Sequence, residues 1–99
     1  MKHLHISKTA LDAFCCRNHI CKLSFFGSVL RGDFRSDSDI DVLVLFEPGY
    51  VVGIQIIEME SELSTLLGGH KVDIINEKYL NPRLRNQILS NAEVQYAKG

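Results

Sequence analysis

Residues Ile40 to Phe46, Ile-Asp-Val-Leu-Val-Leu-Phe, constrain the fold of this chain more than any other stretch. The run is β-branched and nearly all apolar, and Pro48-Gly49 stops it. Apolar residues at both parities predict a central strand covered on both faces. Its one charge, Asp41, has Asp39 two places before it. Side chains alternate along a strand, so the two acids share a side, about 7 Å apart by strand rise. Carboxylates that close repel each other and are partly desolvated, a cost a fold accepts readily when a divalent cation sits between them. Hard oxygen ligands of this kind suit Mg²⁺, which typically takes one or two carboxylates and completes its shell with phosphates and water.

The remaining elements follow from periodicity. Residues 8 to 18 read as a helix capped by Ser7, with Leu11, Phe14 and Cys15 along one stripe. Lys22 to Phe26 is a short apolar strand that enters a tight turn at Gly27-Ser28. The stretch from Arg31 to Ser38 is polar without a period and reads as an exposed loop. Val52 to Leu67 carries Ile56, Met59, Glu60, Leu63 and Leu67 at helical spacing and ends at Gly68-Gly69. Lys71 to Asn76 is another strand. Asn81-Pro82 opens a helix of about ten residues, with proline at the first helical position. Glu93 to Ala97 is a short last strand or a tail. The order α-β-β-α-β-α-(β) predicts an α/β (α+β) sandwich around a small sheet. At 99 residues the chain fits one domain, residues 1–99, with a thin core, so partner binding or oligomerisation is expected.

Two further features bear on chemistry. A glycine after a strand lets backbone N–H groups approach an anion, the Ser28 hydroxyl adds a donor, and a helical turn opening there would add its dipole. Asp73 stands mid-strand in Lys71-Val72-Asp73-Ile74-Ile75, where an apolar residue is expected. A third carboxylate on a neighbouring strand could bind a second metal or take a proton from an attacking hydroxyl.

Gly27-Ser28, ten intervening residues, then Asp39-Ile40-Asp41 resembles the signature of the polymerase-beta-type nucleotidyltransferase superfamily. The wider string Gly-Ser-Val-Leu-Arg-Gly, followed by Ser-Asp-Ile-Asp, is similar to its minimal branch, the MNT proteins. The resemblance covers nearly the whole chain. It implies the nucleotidyltransferase fold, a small mixed β-sheet flanked by helices. It implies that Gly27 and Ser28 bind a triphosphate with Arg31 beside them, although Leu30 replaces the usual alanine. It makes Asp39 and Asp41 metal ligands and Asp73 the third acid of the catalytic set, with Mg²⁺ as cofactor and ATP as substrate. Many MNT proteins are encoded beside a HEPN-domain toxin and resemble antitoxins that transfer AMP to a tyrosine of that toxin. A HEPN-type partner is therefore the first expectation for the acceptor. Two alternatives stand beside it: a non-catalytic subunit that neutralises its partner by covering it, and transfer to a small molecule.

Competing motifs fail on their own chemistry. Gly27 to Gly32 begins like a P-loop, but Asp33 and Phe34 stand where Lys and Ser/Thr are required. Asp37, Asp39 and Asp41 begin like an EF-hand, with Val42 in place of its glycine and Pro48 in place of its last glutamate. Cys15, Cys16, His19 and Cys21 fall within seven residues, too tightly to surround zinc tetrahedrally, and read as small buried residues near a helix end. Arg35, Lys71, Lys78, Arg83 and Arg85 carry no positional argument and read as solvated charges. A formal net charge of -1 argues against general nucleic-acid binding. No apolar run approaches the length of a membrane span, the N-terminus lacks a signal core, and the cysteines form no disulfide framework, so a cytoplasmic location is expected.

Overall fold

The computed structural model describes residues 6–27 and 39–98. The readings made on Ser28, Leu30, Arg31 and the 31–38 loop lie outside the described residues.

Helix α1 spans Lys8–Arg17, and the Ser7 hydroxyl accepts from the Ala10 N–H at its start. Its Leu11, Phe14 and Cys15 are buried, the stripe that the sequence predicts. Strand β1, Ile20–Phe26, begins two residues earlier than expected. Strand β2 is Ile40–Phe46. Helix α2 runs Gln55–Leu66, three residues shorter at its start than the apolar spacing suggests. Ile54 stands at its N-cap without a side-chain capping bond, so periodicity gave amphipathicity there but no start signal. Its end is as expected: Gly68 and Gly69 both adopt positive φ, and the Gly69 N–H closes on the Ser64 carbonyl. Strand β3, Val72–Asn76, is followed by a single 3-10 turn at Glu77–Tyr79, capped by the Asn76 side chain. Helix α3, Pro82–Asn91, takes its cap from Asn81, and strand β4 spans Glu93–Ala97.

The four strands form one mixed sheet in the order β3-β2-β1-β4. β1 is antiparallel to both β2 and β4, while β2 and β3 are parallel and joined through α2. Strand β2 is therefore internal, as its sequence demands. Its cover differs from the expectation. Ile40, Val42, Val44 and Phe46 join Leu11, Phe14, Met59 and Leu63 in one core, which places α1 and α2 on a single face. On the other face Leu43 is buried, but Asp41 and Leu45 on either side of it are only half-buried. The described helices leave that side of the sheet partly open, and the acids are on it.

Edge strand β3 is protected by a side chain. The outward-facing Ile74 N–H donates to Glu60 Oε2 of α2 at 2.8 Å, satisfying a donor that an edge would otherwise offer to another strand.

Candidate active site

Strands β2 and β3 run parallel with Asp41 directly beside Asp73. Register partners in neighbouring strands are about 4.8 Å apart and point to the same face. Asp39 precedes β2 on that side, and the Ile40 N–H bonds the Lys71 carbonyl at 2.8 Å, which fixes the start of the pairing. Lys71 Nζ lies 3.9 Å from Asp39 Oδ2, so this lysine is an ion-pair partner of the acid group, although the sequence gave it no role. The structure thus brings Asp39, Asp41 and Asp73 to one end of one sheet face.

The third side of the site comes from β1. Phe26 pairs with Asp41, and Gly27 follows it at φ +78°. A Cβ on Gly27 would stand 2.4 Å from Asp41 Oδ2, closer than any real side chain could be. Glycine suits the left-handed backbone, and its bare Cα lets the Asp41 carboxylate lie where a side chain would have to displace it. Ser28 and Arg31 lie outside the described residues.

Among the described residues, no three His, Cys, Asp or Glu side chains form a ready-made metal cage. Mg²⁺ does not require one, since one or two protein carboxylates suffice when substrate phosphates and water complete the octahedron. Two half-buried carboxylates with a backbone held tightly against one of them fit that demand. The cysteines and His19 are dispersed by contrast. Cys15 is buried, but Cys16 is exposed and Cys21 half-buried, so the reading of all three as buried holds only for the first. His19 stacks on Tyr50 with ring centroids 4.4 Å apart and lies 3.3 Å from Glu47.

One charged group was missed from sequence. Glu77 is buried, with Lys22 Nζ 3.3 Å from its Oε1, an ion-pair contact without hydrogen-bond alignment. Arg85 reaches it from α3, 3.8 Å from Oε2, and donates to the Glu77 carbonyl at 3.0 Å. Arg85 is therefore a structural tie and not a solvated charge. Local pattern could not reveal it, because the three residues come from β1, the 3-10 turn and α3.

Residues 7–94 match the model of the nucleotidyltransferase domain family. The chain belongs to that family. The four-stranded mixed sheet with its three helices is the nucleotidyltransferase fold. The chain is similar to the protein adenylyltransferase MntA of Thermococcus cleftensis, 35% identical over 68 residues, which cover 69% of this chain and 67% of that one. It is also similar to a solved structure assigned as a minimal nucleotidyltransferase, at 41% identity and TM-score 0.70, covering 86% of this chain and 85% of the other. A third likeness shares the fold at only 17% identity and TM-score 0.65, covering 92% of this chain and 70% of the other. That structure is the complex of a tri-AMPylated Shewanella oneidensis HEPN toxin with its MNT antitoxin. No helix among the described residues is long and apolar enough to cross a membrane.

Proposed function

We propose that this nucleotidyltransferase transfers AMP from ATP to a tyrosine hydroxyl of a HEPN-type toxin and acts as that toxin's antitoxin. The observation that carries the reading is the in-register pair Asp41 and Asp73 beside the left-handed backbone of Gly27, which lies against the Asp41 carboxylate. Two acids at facing register positions on a partly open sheet face are intelligible as a site for a cation and phosphates. The protein adenylyltransferase relative and the AMPylated toxin complex supply the acceptor class.

In this reading Asp39 and Asp41 hold Mg²⁺, which supplies charge neutralisation on the triphosphate. Gly27, Ser28 and Arg31 position the phosphates. Asp73 accepts the proton as the acceptor oxygen attacks the α-phosphorus. The new bond is O–Pα, the bond from Pα to the bridging oxygen breaks, and pyrophosphate leaves. The test is incubation with labelled ATP, Mg²⁺ and the partner toxin. Label appears on the toxin and is lost in the double variant Asp39→Ala, Asp41→Ala. Neutralisation that survives the double variant without label would support a covering subunit instead.

A further inference from the structure

The acids of the site have a cation built in beside them. Strands β2 and β3 pair Ile40 with Val72 and Asp41 with Asp73, so one step back along the same register Asp39 stands across from Lys71. Side chains alternate along a strand, which puts Lys71 on the face of Asp73 and Asp39 on the face of Asp41. The contact agrees with the register, since Lys71 Nζ lies 3.9 Å from Asp39 Oδ2. These residues form a two-by-two array, with half-buried Asp41 and Asp73 as the inner row and Asp39 and exposed Lys71 as the outer row.

The fold uses the backbone of Lys71 and makes little use of its side chain. The Lys71 carbonyl accepts from the Ile40 N–H at 2.8 Å, a bond that any residue could supply. The lysine side chain is 73% exposed and that of Asp39 44%, so their ion pair is solvated and contributes little to stability. An ammonium is a compact point charge on a flexible stem. Here it is placed at the outer edge of the acid group, where it acts on whatever enters.

Charge decides what that action is. Three carboxylates attract a bare divalent cation, and a single Mg²⁺ does not neutralise all three. A triphosphate entering the site therefore meets residual negative charge. An ammonium beside Asp39 changes both encounters in opposite senses: it repels the free cation and attracts the phosphates. We propose that Lys71 is a specificity-determining residue of this site, which disfavours free Mg²⁺ and favours Mg²⁺ carried by a nucleoside triphosphate. The inference rests on the reading of the acids as a metal and triphosphate site, and adds the residue that sets which form of the cation enters.

The experiment measures two affinities on the full chain: Mn²⁺ alone by electron paramagnetic resonance, and a non-hydrolysable ATP analogue with Mg²⁺ by calorimetry. Lys71→Met removes the charge at similar length. It should bind Mn²⁺ more tightly and the analogue more weakly, each by about threefold to tenfold at low salt. Both shifts should shrink at high salt, as the effect of an exposed charge does. Lys71→Arg should keep both affinities near wild type, Lys71→Glu should move both further than methionine does, and urea unfolding should show all three variants folded. Affinities that stay unchanged in Lys71→Met and Lys71→Glu would overturn the assignment. So would affinities that weaken together, because a merely damaged site loses both ligands. AMP transfer to the HEPN-type partner is measured on the same samples. Opposed shifts without transfer would leave the role of Lys71 standing and sink the adenylylation reading, and transfer with unchanged affinities would do the reverse.

Discussion

Gly27 and Asp41 share a space that holds only one side chain. A methyl at position 27 would meet Asp41 Oδ2 at 2.4 Å, and φ there is +78°. The atom in the way is the end of a side chain, so in Gly27→Ala the carboxylate can turn aside at small cost. The left-handed backbone remains strained by about 1 kcal/mol. Displacement of a reacting group by about 1 Å can lower a rate roughly 100-fold. Gly27→Ala is therefore expected to lose far more AMP transfer than stability, which urea unfolding and initial rates on the same preparation will separate. Equal losses would mean the glycine serves the turn alone.

Asp73→Asn is expected to move stability and activity in opposite directions. Like charges at facing register positions destabilise a sheet. Removing one charge while keeping the shape relieves that repulsion, so the urea midpoint should rise. Loss of the proton acceptor should lower transfer by about 10²-fold or more. A lower midpoint would show that Asp73 has a structural partner that outweighs its neighbour.

How far the sequence could be read depended on the range of each interaction. β2 was legible to the residue because its composition is local and extreme, and the face shared by Asp39 and Asp41 follows from alternation. Which acid would lie beside Asp73 is a matter of register, which no local pattern encodes. The start of α2 was misplaced because Val52 continues the apolar spacing outside the helix, and no Ser, Thr, Asp or Asn marks the cap. The pairing of β4 with β1 and the Lys22–Glu77 contact join residues more than fifty positions apart. Glu60 is instructive: its place in the apolar stripe of α2 was visible, but the reason was a bond to a strand.

That bond makes Glu60→Ala a test of the edge of the sheet. The Ile74 N–H would lose a charged acceptor at 2.8 Å in a partly buried setting, at a cost of about 2 kcal/mol. Glu60→Gln keeps an acceptor and should cost about half as much. Hydrogen exchange at the Ile74 amide should speed up in the alanine variant well before exchange within β1 does. Unchanged protection at Ile74 would show that another group covers the edge.

Alkaline pH should weaken the fold through one thiol. Burial, with Asp12 and Cys16 adding to it, pushes Cys15 up from 9.0 to about 12. The folded state thus holds this proton more tightly than the unfolded chain does. The stabilisation is complete below pH 9 and is lost as pH rises from 9 towards 12, up to about 4 kcal/mol. Tyr96 is also raised, from 10.0 to about 12, by its hydrogen bond with Cys16 and then by burial, so it adds to the loss in the upper part of that window. Cys15→Ala should flatten the curve between pH 9 and 10, where the tyrosine does not yet contribute, even though the cavity lowers stability overall. At pH 8 a thiol reagent should modify exposed Cys16 in the native protein and reach Cys15 only on unfolding. Modification of Cys15 in the folded state, or a wild-type unfolding free energy that stays level from pH 9 to 12, would refute the assignment.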